Sequence, residues 1–130
     1  MPRMIFVNLP VADLDHAKAF YQQLGFTCNP EYTDHTAACM VLSDTIFVML
    51  LTHDKFATFS PHPICDAHKN TEVLNALSCE SREEVDTLVS TAVAQGGARY
   101  SEPKDYGFMY QHGFQDPDGH VWELIYMAQQ

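Results

Sequence analysis

Glu123 is the acidic side chain whose surroundings most suggest chemistry. Strand alternation places it on one face with Val121, Ile125 and Met127, all of them apolar. A carboxylate among apolar side chains is costly unless it is paired, bound to a metal or protonated. Glu123 is therefore a candidate general base or a partner for a cationic ligand. The alternative is a structural acid held by hydrogen bonds from neighbouring strands.

Three further polar side chains could orient a ligand. Asn8 alternates with Phe6 on the first predicted strand, where its amide could orient a carbonyl group or could be a satisfied core amide beside Pro10. Tyr110 and His112 alternate on the second-last predicted strand. They could hydrogen-bond a ligand, and histidine exchanges protons near neutral pH. A solvent-facing histidine near a sheet edge is the alternative for His112.

The histidines and cysteines have no spacing typical of a metal site or a nucleophilic triad. His62 and His68 flank Cys65, but no C-x-x-C or H-x-x-x-H pattern accompanies them, so we expect no metal in this segment. The four cysteines show no disulfide framework. Because no secretion signal is visible at the start of the sequence, they predict reduced thiols in a cytoplasmic protein.

The composition indicates one acidic domain. The chain has 130 residues, of which 46% are hydrophobic, and this suits a single domain with its own core. Seventeen acidic residues against seven basic ones give a formal net charge of −10, which disfavours a nucleic-acid partner. No apolar run approaches the roughly 20 residues of a membrane span, so we expect no membrane partner. The acidic surface weakly favours cationic ligands, although solubility alone explains it.

The first half of the chain predicts a strand, a helix and three more strands. Asp13 as N-cap and Gly25 as a stop bound a helix over residues 14–24, whose apolar residues recur at helical spacing. Runs of strand length surround it. The predicted strands are residues 4–9, 26–32, 37–42 and 45–52.

The second half repeats this order. Ser81 and Glu84 form a capping box for a helix that ends at Gly96-Gly97. The tetrapeptide Asp-Pro-Asp-Gly at residues 116–119 strongly predicts a turn between the last two strands. The predicted strands are residues 72–79, 98–101, 108–115 and 120–127.

The fold class is therefore predicted as α+β, with two tandem βαβββ modules in one domain of residues 1–130. The modules span about residues 3–52 and 72–128. Residues 53–71 join them as a linker rich in turn signals, with one helical turn. Each four-stranded sheet carries a helix on one face, and the free faces are expected to form a shared, cupped surface.

Two stretches carry a family resemblance: FVNLPVADLDHAKAFYQQLGF near the start and GFQDPDGHVWELIYM at the end. Both resemble the vicinal oxygen chelate superfamily, which includes glyoxalase I, bleomycin-resistance proteins and extradiol dioxygenases. The resemblance covers nearly the whole chain and is strongest to bacterial proteins described as predicted lactoylglutathione lyases. It implies the glyoxalase/bleomycin-resistance/dioxygenase fold, and a homodimer, because superfamily modules often complete an open sheet across subunits.

The superfamily's usual chemistry needs a divalent metal, held by His and Glu ligands from the first and last strands of each module. The resemblance places the four ligand positions at Phe6, Met49, Leu74 and Glu123. Three of these side chains are apolar, and one carboxylate cannot hold a catalytic divalent ion. We therefore expect no metal ligands and no cofactor. The expected site is a cavity between the sheets, lined by these four residues and Asn8.

The resemblance leaves two functions open. One is a glyoxalase-like lyase that acts on a small carbonyl or thiol conjugate through a rearranged site. The other is a metal-independent protein that binds and sequesters a small molecule, as bleomycin-resistance proteins do. In either case Glu123 is the candidate catalytic residue. The candidate substrate-binding residues are Phe6, Asn8, Met49, Leu74, Tyr110 and His112.

Overall fold

The computed structural model of the protein describes residues 2–128, which divide after Cys65 into a first and a second unit. Each unit consists of one strand, one helix and three further strands, with two extra short helices in the first, one of them a 3₁₀ helix. The predicted α+β fold of two βαβββ modules is thereby confirmed. None of the helices in residues 2–128 is long and apolar enough to cross a bilayer.

The first unit builds a sheet of order β1-β4-β3-β2, in which β1 and β4 are parallel and the other pairs antiparallel. One face of this sheet carries Leu9, Val11, Val48 and Leu50 and is buried against α1. The strands are β1 (Ile5–Val11), β2 (Thr27–Asn29), β3 (Ala37–Val41) and β4 (Ile46–Thr52). The helices are α1 (Leu14–Gln23), α2 (His53–Phe59) and a 3₁₀ helix, Pro30–Tyr32.

The second unit repeats the topology with the order β5-β8-β7-β6, again with the first and last strands of the module parallel. Its helix, α3 (Arg82–Ala94), covers the face that carries Phe114 and Leu124, and both side chains are buried. The strands are β5 (Asn75–Cys79), β6 (Lys104–Asp105), β7 (Met109–Gln115) and β8 (Val121–Met127).

Both predicted N-caps are confirmed. The Asp13 carboxylate accepts a hydrogen bond from the His16 amide at 3.1 Å, and the Ser81 hydroxyl accepts one from the Glu84 amide at 3.0 Å. The Glu84 carboxylate accepts from the amide of Glu80 at 2.7 Å, one residue before the N-cap amide that a capping box normally uses. These bonds satisfy amides that have no partner inside a helix.

The predicted strand ends are wrong by two or more residues at three places. β1 continues through Pro10 to Val11. Proline is tolerated there because β1 is an edge strand, and the Pro10 nitrogen, which has no N–H to donate, can face away from the neighbouring strand. β2 has only three residues, since Pro30 begins the 3₁₀ helix. β5 begins at Asn75, so that Leu74 precedes the strand instead of lying within it.

The predicted strand at residues 98–101 is also wrong. Only Ala98 pairs there, in a single bridge to Gln115. The short strand β6, at Lys104–Asp105, was not predicted, because two exposed charged residues give no alternating pattern.

The segment predicted as a linker begins with a regular helix. Instead of one helical turn, the seven residues of α2 are helical. Thr52 is its N-cap and accepts a hydrogen bond from the Lys55 amide at 3.3 Å. This helix contacts β1 and β4 and therefore belongs to the first unit.

Candidate functional site

Three predicted site residues share one face of the first sheet. Phe6 and Asn8 of β1 are the Cα partners of Phe47 and Met49 of β4, so their side chains project to the same side. The Phe6 and Phe47 rings stack with centroids 4.8 Å apart and an interplanar angle of 12°. Phe6, Asn8 and Met49 are therefore brought together, on the face opposite to α1.

Helix α2 borders a groove at this face. The groove has a volume of about 550 Å³, which lies in the size range of small-molecule sites. Its walls are apolar and aromatic, and its polar groups are uncharged. The lining residues are Asn8, Leu51, Phe56, Phe59, Ser60 and Pro61.

Asn8 is the side-chain amide of the groove. Its Nδ2 donates a hydrogen bond to the Phe6 carbonyl oxygen at 3.3 Å, and its Oδ1 receives none from residues 2–128. The side chain is exposed, so the alternative of a satisfied core amide is wrong. A ligand in the groove could donate a hydrogen bond to the free oxygen.

The aromatic residues of α2 were not predicted as site residues. Phe59 is 67% exposed, and the Lys55 ammonium lies 5.4 Å from the centroid of its ring. Phe56 and Phe59 are three residues apart, a spacing that puts both rings on one side of a helix. That spacing was the available signal for a helix here, but the two prolines that follow it are typical of a linker.

Glu123 lies on the face of the second sheet that α3 leaves uncovered. Its Cα partners are Gly113 of β7 and Ala76 of β5, two residues with little or no side chain, and the carboxylate is half-buried. Leu74 precedes β5 and is 55% exposed.

Tyr100 is a second polar residue on this face that the sequence did not reveal. Its hydroxyl lies over Gly113, in the space that a side chain there would occupy. Burial raises the pKa of Tyr100, and the nearby negative charge of Glu123 raises it further. The phenol therefore remains a hydrogen-bond donor at neutral pH.

Tyr110 and His112 lie on the opposite face from Glu123, beneath α3. The Tyr110 hydroxyl donates to Asp86 Oδ1 of α3 at 2.6 Å, and the Arg82 guanidinium stacks over the Tyr110 ring at 5.0 Å. The sheet therefore separates these two side chains from Glu123, and one pocket cannot contain all three.

His112 is 6% exposed, so the alternative of a solvent-facing histidine is wrong. Its Nδ1 is buried and has no hydrogen-bond partner among the described residues. Burial lowers the pKa of His112, and the positive charge of Arg99 lowers it further, against the smaller opposing effects of Asp86 and Glu102. The neutral imidazole is the form that the fold favours.

The side chains at the four positions that the family resemblance assigns to metal ligands do not fit a divalent cation. Phe6 and Leu74 offer no ligand atom and Met49 offers only a thioether, which leaves Glu123. Within residues 2–128, no three side chains among His, Cys, Asp and Glu lie close enough together to hold a metal.

Comparison with known proteins gives one family match and a set of similar structures. Residues 3–43 match the bleomycin resistance protein-like N-terminal family. The hypothetical protein SA1046 from S. aureus is 30% identical over 97% of this chain and 95% of that chain, with a TM-score of 0.80. No curated protein matches the sequence significantly.

Two further structures share the fold at lower identity. A glyoxalase/bleomycin resistance protein/dioxygenase family enzyme from Burkholderia phytofirmans PsJN is 22% identical, with a TM-score of 0.80 over 98% of this chain and 100% of that chain. A bleomycin resistance determinant encoded on the transposon Tn5 is 19% identical, with a TM-score of 0.67 over 98% of this chain and 100% of that chain.

Proposed function

Because this chain belongs to the same family as S. aureus SA1046 and has the glyoxalase/bleomycin-resistance/dioxygenase fold, we propose that it binds a small organic molecule without a resident metal. Residues 3–43 match the bleomycin resistance protein-like N-terminal family, and this match supports a binding role. The Tn5 determinant is named for resistance to bleomycin. We extend a binding role of that kind to this chain.

The observation that carries the proposal is the groove beside α2. Apolar walls with few polar groups are typical of small-molecule sites, in which the polar groups set the orientation of the ligand. Phe56 and Phe59 supply aromatic surface, and Asn8 supplies an acceptor. The groove lining contains no titratable side chain, no thiol and no metal ligand, so it is suited to holding a molecule rather than transforming it.

The test is a titration of isotopically labelled protein, followed by NMR, with bleomycin and with indole as a minimal aromatic probe. We expect the Asn8 side-chain amide and the α2 backbone amides to shift. Phe59→Ala should weaken binding of the responding probe at least tenfold, because it removes an exposed wall of the groove. Tyr32→Ala is the matched control, since Tyr32 is an exposed aromatic residue outside the groove lining. Absence of shifts at the groove with both probes would contradict the proposal.

A second candidate function is a glyoxalase-like lyase centred on Glu123. The observation in its favour is the half-buried carboxylate beside the protonated Tyr100 phenol, since such a pair can serve as general base and general acid. The test is formation of a thioester from the hemithioacetal of methylglyoxal and glutathione. Turnover by the native protein that Glu123→Gln abolishes would favour the lyase over pure binding.

A further inference from the structure

Tyr100 and Glu123 converge on Gly113 in the second unit. Gly113 is the cross-strand partner of Glu123, and the Tyr100 hydroxyl lies directly over it. A methyl group at position 113 would overlap that hydroxyl and would lie 2.9 Å from Cζ of the same ring. The absence of a side chain at Gly113 therefore allows the phenol to lie beside the carboxylate on one face of the sheet.

Both polar groups have unused hydrogen-bonding capacity. Among residues 2–128, no donor bonds to the Glu123 carboxylate and no acceptor bonds to the Tyr100 hydroxyl, and the two are not bonded to each other. The first group offers acceptors and the second offers a donor. Tyr100 is 43% exposed and Glu123 is half-buried, so water reaches both groups, and a ligand that replaces this water must satisfy both at once.

We infer that Tyr100 and Glu123 form a donor–acceptor site that binds the amide group of a small molecule. The amide N–H donates to the Glu123 carboxylate, and the amide carbonyl accepts from the Tyr100 hydroxyl. An amide carries its donor and acceptor on neighbouring atoms, which suits two partners that lie on the same face of the sheet around Gly113. A carboxylate ligand lacks the donor and is repelled by Glu123. The inference does not rest on the proposed binding groove of the first unit; it concerns the same two side chains as the second candidate function and names the ligand class that they would bind.

The experiment is an NMR titration of the full chain with three matched probes, following the Tyr100 ring and the Gly113 backbone amide. Benzamide has an amide donor and acceptor, N,N-dimethylbenzamide keeps only the acceptor, and benzoate is an anion without a donor. We expect benzamide to shift both sets of signals. The other two probes should bind at least tenfold more weakly.

Variants assign the binding to the two side chains. Tyr100→Phe removes only the donor and Glu123→Leu removes the acceptors, and each should weaken benzamide binding at least tenfold. Tyr106→Phe and Glu102→Gln are the matched controls, since both residues are exposed in the same unit, and neither should change the affinity. Gly113→Ala should weaken binding while keeping both groups, because its methyl group displaces the phenol and also meets the Trp122 carbonyl oxygen at 2.5 Å. If Gly113→Ala does not fold, the two side-chain variants decide the question.

Three results would overturn the inference: no shift with benzamide, equal binding of benzamide and N,N-dimethylbenzamide, or unchanged affinity in both Tyr100→Phe and Glu123→Leu. The indole titration of the groove reports on the first unit. The donor–acceptor site and the proposed function can therefore fail separately.

Discussion

At the scale of single residues, His112 combines burial with an unsatisfied polar atom. Its ring lies beneath α3, and Nδ1 has no partner among the described residues. The charged groups that act on it are Asp86 on α3 and Arg99 and Glu102 before β6. Because burial dominates, the folded protein resists protonation of this ring.

This resistance predicts a loss of stability in mild acid. The pKa of His112 is lower in the folded chain than the ordinary value of about 6.5 for histidine, so below about pH 6.5 the unfolded chain binds a proton that the folded chain does not. The free energy of unfolding should therefore fall as the pH drops from 7.5 to 5.5, by at most roughly 1.4 kcal/mol per pH unit. Urea titrations at a series of pH values measure this slope.

His112→Leu should flatten that slope, because leucine keeps an apolar volume under α3 and does not titrate. His62→Gln is the control, since it removes an exposed histidine instead of the buried one. If the His112→Leu protein has the same slope as the native protein, another group is responsible and the prediction is wrong.

The residues of the candidate sites were only partly predictable. Alternation along β1 correctly placed Phe6 and Asn8 on one face. Strand alternation could not reveal Tyr100, because this residue lies outside every regular strand. The loop that follows α3 brings its hydroxyl over Gly113. Tyr110 and His112 are on the far side of the sheet from Glu123 because alternation fixes faces within a strand, whereas the register between β7 and β8 is a tertiary property.

At the scale of elements, the turn between β7 and β8 depends on one side chain and one glycine. The Asp116 carboxylate accepts hydrogen bonds from the amides of Asp118 at 3.0 Å and His120 at 2.9 Å. Gly119 has φ of +91°, a conformation that other residues rarely adopt. A Cβ at this position would also lie 2.8 Å from the backbone of Ala67 and His68.

We predict that Gly119→Ala destabilises the protein more than Gly25→Ala does. Both glycines have positive φ, so each substitution adds backbone strain of about 1–3 kcal/mol. Only the first also forces a methyl group against the backbone, whereas nothing lies within 4 Å of a Cβ at Gly25. Thermal and urea unfolding of the two variants measure the difference. Equal losses of stability in the two variants would contradict the prediction, because they would mean that residues 67–68 move away from the added methyl group at no cost in free energy.

The elements themselves were largely predictable, because their signals are local. Asp13, Ser81 and the positive-φ glycines after α1 and α3 mark the helix ends within a few residues of where they lie. β6 escaped prediction because its two residues show no alternating pattern and its contacts are with distant residues: it pairs with β7, and Asp105 accepts a hydrogen bond at 2.6 Å from Arg82 of α3. A contact between residues so distant in sequence leaves no pattern in either segment.

At the scale of the whole molecule, the four positions that the family resemblance assigns to metal ligands supply one carboxylate and no imidazole. We therefore predict that protein purified without added metal or chelator carries far less than one nickel, zinc, iron or manganese ion per chain. Elemental analysis by mass spectrometry provides the measurement. Glu123→Ala serves as the control, since any metal bound through that carboxylate should be lost with it. A near-stoichiometric metal content in the native protein would contradict the prediction.

The last prediction concerns assembly. Met4, Ile5 and Phe6 are consecutive and all exposed, with Ile5 at 57%, although neighbouring residues of a strand point to opposite faces. Apolar surface on both sides of an edge strand favours association. We predict a homodimer with an interface of roughly 2,000 Å² in total or more. Sedimentation velocity at micromolar concentration should give twice the chain mass of 14.7 kDa. Ile5→Lys should shift the equilibrium toward monomer, because it places a charge at the start of β1, whereas Val93→Lys on the exposed side of α3 should not. A native protein that sediments as a monomer would contradict the prediction, and a dimer insensitive to Ile5→Lys would place the interface away from this edge.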